Sequence, residues 1–299
     1  MKVILSLLAL IVVYNLLPAH SVESTGKMNS AARTLADGIM TFRSAYATWN
    51  AEKFKEAEEQ IEMSIEKGLE NHLPHYWKGV VNFHLVNLYL WGTKEVVDKK
   101  KGSIHIDRAI ESLKKALQLN DRDPESLALT GTLYGIQIYQ KPYLAPLLGP
   151  KYFKLIKTAL ENEPENPRIH YLIGMSYLFT PKYLGGGVKK GLTHLLKAHK
   201  FFEKEVTIKP MPFAPRWGHS TCLDFIGKAY IKLNNSKEAE NYFKKALTIN
   251  PKDKLAKSGL EELTKKKEGN NHVKKSHYCW GRSWRNLRCY FSGGGRFFC

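Results

Sequence analysis

The stretch from Ser220 to Asp253, STCLDFIGKAYIKLNNSKEAENYFKKALTINPKD, decides the fold. Leu223, Ile226, Gly227 and Tyr230 recur at helical spacing, and a second apolar set, Ala239, Phe243 and Ala246, follows at the same period. The two sets are separated by Asn234-Asn235-Ser236, residues that turn a chain. Gly227 and the two alanines therefore sit where two antiparallel helices approach closely, and the larger side chains fill the space between them. Pro251 stands after the second helix, where its missing N–H no longer matters.

This pattern resembles the tetratricopeptide repeat: W-x2-L-G-x2-Y, then A-x3-F, an Ala three residues later and a closing Pro over 34 residues, with Leu223 in place of the Trp and Ile226 in place of the Leu. Four further units fit the same frame. Ile173, Gly174 and Tyr177 precede Leu195 and Ala198, and Leu127, Gly131 and Tyr134 precede Ile156, Ala159 and Pro164. Gly79 precedes Ala109, Leu113 and Ala116. In the first and weakest unit Ala45 takes the Gly place, ahead of Ala57, Ile61 and Ser64. The resemblance implies an all-α right-handed superhelix, an α-α solenoid of about five helix pairs over residues 22–263. The repeats are expected near 38–71, 72–123, 124–166, 167–210 and 220–253.

From the Gly place to the second-helix Ala the pattern needs 19 residues, and repeats two, three and four exceed it by 18, 9 and 5. The extra residues fall near Trp91 to Ile106, Gln140 to Pro150 and Pro181 to Gly191. Loops grafted on a rigid repeat scaffold emerge on one face, where binding specificity is often placed; alternatively they cap apolar edges. Gly185-Gly186-Gly187 has no Gly-Lys-Ser/Thr after it and reads as a tight loop, not a phosphate cradle.

Lys2 followed by the apolar run Val3 to Leu17 and the small residues Ala19 and Ser21 reads as a secretory signal over 1–21, cleaved after Ser21. Fifteen mostly apolar residues fall short of the roughly 17–25 a membrane-spanning helix needs, so an uncleaved anchor is the weaker alternative. An exported, periplasmic or extracellular location is expected. The formal charge is +18, but the tail 264–299 carries nine Lys or Arg against one Glu, leaving about +9 on the repeats once Lys2 departs with the signal. That surface suits solubility or peripheral contact with anionic envelope surfaces, and an exported protein rarely meets nucleic acid. Three of the four Cys lie in the tail (Cys279, Cys289 and Cys299), and Cys222, on a helix, reads as a small buried side chain, so no disulfide framework is expected for the repeats. The tail has no helical period and is expected to be disordered.

In stacked tetratricopeptide units the first helix of each pair lines the concave surface. Transferred through the alignment, this places Phe42, Tyr46 and Trp49 of repeat one, Tyr76 and Phe83 of repeat two, and Arg168, Tyr171 and Met175 of repeat four on a candidate groove. Repeat five presents the more polar Thr221, Asp224, Lys228 and Ile231. An aromatic groove suits an extended peptide, a partner helix or a small hydrophobic molecule; a tight superhelix would instead bury the same rings as core. The segment Thr180 to Gly187, leading into Gly191 to Ala198, also resembles the periplasmic T-component of tripartite (TRAP) transporters, and Pro215-Arg216-Trp217-Gly218 resembles the opening of the last repeat in secreted bacterial repeat proteins. The function expected is a non-enzymatic scaffold of the cell envelope, or alternatively a solute-binding or assembly subunit beside such a transporter. No cofactor or metal is implied: Pro74 between His72 and His75 suggests a loop start, and His194 and His199 are five apart, off a common helix face. No nucleophile–base set can be assembled.

Overall fold

In a computed structural model, the described residues are 28–266 except Thr93, Pro210 and Pro212. The expected signal segment, 1–21, and the tail beyond 266 lie outside them. The described residues form eleven α-helices joined by short turns, and Asn or Asp begins most of them by capping. The side chains of Asn29, Asn50, Asn71, Asp98 and Asp123 accept from backbone N–H groups of the first turn, as do those of Asn166 and Asn235. Asp123-Pro124 and Asn166-Pro167 add a proline at the first helical position, where no hydrogen bond is forfeited.

The helices pair as the repeats require. Repeat one is α1 (Ser30–Thr48) with α2 (Ala51–Glu66), and repeat two is α3 (His72–Trp91) with α4 (Lys99–Leu119). Repeat three is α5 (Pro124–Gln140) with α6 (Ala145–Asn162), and repeat four is α7 (Pro167–Phe179) with α8 (Val188–Val206). Repeat five is α9 (His219–Lys232) with α10 (Ser236–Ile249), and α11 (254–266) caps the stack. Asp253 starts α11 by accepting from Leu255 N and Ala256 N at 3.0 and 3.3 Å.

The small residues hold the pairs together as the sequence implies. A Cβ on Gly227 would lie 2.7 Å from the Phe243 ring, one on Gly79 2.6 Å from Leu113, and one on Gly174 2.7 Å from Leu195. In repeat one the residue under Ile61 is Gly38, not Ala45. The expected register there is therefore seven residues late. Seven residues are two helical turns, so periodicity alone cannot separate the two alignments.

The insertions are absorbed in two ways. In repeat two both helices lengthen, to 20 and 21 residues. In repeats three and four short 3₁₀ turns, Pro142–Leu144 and Lys182–Leu184, bridge the pair. Gly185 takes φ 87°, and a Cβ on Gly186 would strike Thr180 O at 1.9 Å, so the triple glycine is the tight loop expected. Cys222 is buried, with Sγ 3.5 Å from Leu195 O. Among the described residues no helix is long and apolar enough to cross a membrane.

The superhelix closes on itself, which the repeat pattern did not anticipate. Tyr46 of α1 shares a 2.5 Å hydrogen bond with Thr221 of α9, and Asn250 Nδ2 donates to Ala47 O at 3.0 Å. First and last repeats thus meet along a seam, and Phe213 and Trp217 of the α8–α9 linker (207–218) reach the concave face against α3 and α7.

Candidate functional site

Six of the eight expected groove residues are buried: Phe42, Tyr76, Phe83, Arg168, Tyr171 and Met175. Tyr46 and Trp49 are half-buried. The alignment put them on the face that the repeats share, and the structure brings them together there. It does not leave them as an open groove. Trp217, 3% exposed, inserts from the linker with its ring 6.2 Å from Phe83 and 6.3 Å from Tyr171. Its Nε1 donates to Tyr76 Oη at 2.9 Å, and Trp77 Nε1 donates to the Phe213 carbonyl of the same linker at 3.0 Å. The physical reason is apolar area: a concave wall of aromatic rings would otherwise face water, and a curled stack with its own tryptophan inside removes that cost.

The centre of this cluster is a residue the sequence did not single out. His84 lies 5.0–5.9 Å from the rings of Phe42, Tyr46, Trp49, Phe54, Phe83 and Trp217. Its Nδ1–H donates to Val80 O at 2.8 Å, which fixes the neutral tautomer, and burial lowers its pKa to about 4.

Beside the plugged face a cleft of about 730 Å³ stays open, bounded by repeats two to four and by the linker. Its floor is an ionic network. Arg168, nearly buried, donates through Nε to Glu125 Oε1 at 2.5 Å and through its terminal nitrogens to both oxygens of Glu205. Tyr76 donates to the other oxygen of Glu125, and Asn166 Nδ2 donates to Glu125 Oε1 at 3.0 Å. Trp217, Tyr76, Glu125 and Arg168 are thus one hydrogen-bonded chain running from plug to cleft. Arg216, next to the plug, donates to the carbonyls of Glu205 and, at 2.8 Å, Ile208, pinning the linker to the end of α8. Phe201, Ile208, Met211 and Pro215 supply apolar wall. Arg168 was expected as a lone charge in an aromatic groove; instead both adjoining carboxylates compensate it. Burial raises the Tyr76 phenol well above its usual range, with the Glu125 carboxylate adding to it, so it acts as a fixed hydrogen-bond donor.

The polar side of the seam holds Asp224, fully buried, with neither carboxylate oxygen bonded. Burial, and then the nearby Asp253, push its pKa well up. Two histidine pairs, His170 with His194 and His199 with His219, face each other at 3.1 Å across neighbouring helices, each fitting a neutral donor–acceptor pair. Among the described residues no cluster of three or more His, Cys, Asp or Glu forms a metal-binding group.

Residues 221–253 match the tetratricopeptide repeat family model. Among solved structures, the HusA haemophore from Porphyromonas gingivalis superposes with a TM-score of 0.55 at 18% identity, covering 69% of this chain and 96% of that one. TTC0263, a thermophilic TPR protein of Thermus thermophilus, gives a TM-score of 0.49 at 15% identity, covering 77% of this chain and 99% of that one. YrrB, a TPR protein described as having an unusual peptide-binding site, gives 0.36 at 14% identity, covering 78% and 98%. No curated protein matches the chain. The chain is an all-α helical-repeat protein of tetratricopeptide type, a scaffold architecture associated with binding proteins or peptides.

Proposed function

We propose that this protein is an exported, non-catalytic scaffold of the cell envelope that takes a partner segment into the cleft beside its plugged concave face. The observation that carries the reading is the shared wall: the linker 207–218 both fills the aromatic groove with Trp217 and lines the open cleft with Ile208, Met211 and Pro215. An occupant of the cleft therefore contacts the element that holds the superhelix closed. The mixture of apolar wall with carboxylates and guanidinium groups suits an extended peptide, whose backbone needs donors and acceptors as well as pockets. Export rests on the sequence of residues 1–21.

Native mass spectrometry of the full chain recovered from its envelope tests this, with Phe201→Asp in the cleft wall as comparison. The expected result is a co-purifying polypeptide held by the unaltered chain and lost from the variant. A bare-mass chain, with no partner recovered after cross-linking in cells, would contradict it.

A second reading, capture of an apolar small molecule by a solute-binding subunit beside a transporter, is supported by the fold shared with a haemophore and by the apolar wall of the same cleft, Phe201, Ile208 and Met211. Titration with haemin separates the two. A saturable absorbance change that Phe201→Asp weakens favours small-molecule capture; an unchanged spectrum leaves the peptide reading.

A further inference from the structure

The ends of the first helices of repeats two, three and four meet along one edge of the solenoid, because each chain turns there into its second helix. Trp91, the last residue of α3, stacks on Phe179, the last of α7, with centroids 6.1 Å apart and planes at 18°. Tyr139, near the end of α5, lies 6.5 Å from Trp91. Beyond this row the two inserted turns project large side chains into solvent. Tyr183 is 86% exposed, Tyr143 75%, and Leu147 and Leu184 60% each. Single exposed apolar residues are ordinary, but seven on adjoining helix ends and turns are a patch.

The charge on the same edge has one sign in repeats three and four. No Asp or Glu occurs between Glu125 and Glu161 or between Glu165 and Glu203. The inserted turns and their flanks carry exposed Lys141, Lys182, Lys189 and Lys190. In the loops that follow α3, α5 and α7 the carboxylates are Glu95 and Asp98 of repeat two, and Asp98 is engaged in capping α4 at Lys101 N.

We propose that this edge docks on an anionic lipid bilayer, with Tyr143, Leu147, Tyr183 and Leu184 entering the headgroup region and the lysines against lipid phosphates. Three features favour a bilayer over a protein or a nucleic acid. The apolar groups stand on protruding turns, not in a concavity that could seat a partner's side chain. Tyrosine and tryptophan are the side chains that settle at a membrane interface, apolar body inward and polar tip in water, while the leucines reach the acyl boundary. Neutral leucines between lysines add nothing to phosphate contacts along a nucleic acid, whereas insertion of apolar groups plus attraction to anionic lipid is how peripheral attachment is built. The inference does not depend on what the cleft binds.

Flotation of the full chain tests it, using vesicles of phosphatidylcholine alone and of phosphatidylcholine mixed with phosphatidylglycerol. The expected result is salt-sensitive binding to the mixed vesicles and little to the neutral ones. Tyr143→Ser/Leu147→Ser/Tyr183→Ser/Leu184→Ser should lower partitioning by roughly 10-fold or more. Lys141→Gln/Lys182→Gln/Lys189→Gln should lower it by roughly fivefold per lysine. All seven positions are exposed, so thermal melts of both variants should overlay that of the unaltered chain. Binding that neither variant reduces would place attachment in the apolar N-terminal segment or the basic tail and overturn the proposal. So would absence of binding to anionic vesicles, or retention on an acidic polypeptide or duplex RNA without vesicle binding.

Discussion

Replacing Trp217 by alanine removes the ring that fills the concave face and the 2.9 Å hydrogen bond from its Nε1 to Tyr76. Truncating a buried tryptophan to alanine costs about 3–5 kcal/mol, and the lost hydrogen bond is contained within that range or adds about 1 kcal/mol. In a repeat array of this length each kcal/mol moves the midpoint by roughly 2–4 °C, so a fall of roughly 6–20 °C is expected in a thermal melt. The loss should be local before it is global, because Trp217 bridges the first helices of repeats two and four and is not in the interior of any helix pair. Hydrogen exchange by mass spectrometry should show lost protection at 207–218 and along the facing α3 and α7, with α6 little changed. Trp217→Phe retains most of the buried area and should recover all but roughly 1–2 kcal/mol. A Trp217→Ala protein that melts within about 2 °C of the original, with unaltered exchange at 207–218, would refute the plugged face.

Other consequences are checked by denaturant titration. Arg168→Leu leaves Glu125 buried without its guanidinium partner and should destabilise by about 3–5 kcal/mol; a loss under about 1 kcal/mol would mean the network is hydrated. Asp224 is buried with its oxygens unbonded, beside Asp253 and Lys228, and its folded pKa is raised, so the folded state holds the proton more tightly than the unfolded one. Its contribution is favourable at low pH and turns unfavourable as pH rises above the unfolded value of about 4, so Asp224→Asn should stabilise by roughly 1–3 kcal/mol at pH 7. A destabilised variant would show that a partner pairs the carboxylate. The histidines act in the opposite direction: His84, His105, His194 and His219 are each lowered to about 4 by burial. Unfolded imidazoles take up protons near pH 6.5, so stability should fall as pH drops from about 6.5 to about 4, by up to about 1.4 kcal/mol per pH unit for the fully buried His84 and by less for the other three, which solvent partly screens. Four such groups outweigh Asp224, and stability that stays level over this range would contradict the neutral, buried histidines.

The helix pairing was legible because it is local. Gly227 against Phe243 and Gly174 against Leu195 follow from side-chain size at a crossing point, and those residues carry the repeat pattern. The displaced register of repeat one shows the limit of periodicity, since Gly38 and Ala45 lie two turns apart on one helical face. Which face the aromatic residues occupy was also legible, but their accessibility was not. Whether Tyr76 and Tyr171 line a groove or a core depends on superhelix closure, set by contacts such as Tyr46 with Thr221, 175 residues apart. The one available signal lay outside the repeat pattern: Phe213 and Trp217 are bulky rings in a proline-rich linker, where a solvent-exposed connection would not place them. The Glu125–Arg168–Glu205 network was hidden for a similar reason, because its members come from three helices in two repeats.

Repeat one meets repeat five, and trapping that contact is a direct test of the closed superhelix. Asn250 Nδ2 lies 3.0 Å from Ala47 O, so cysteines at both positions would fall within the span of a short thiol-to-thiol crosslinker. In Ala47→Cys/Asn250→Cys, a short bis-maleimide followed by peptide mapping should recover the 47–250 crosslink in most of the folded protein. A folded double variant that yields no 47–250 crosslink would mean the superhelix is open and its aromatic face accessible.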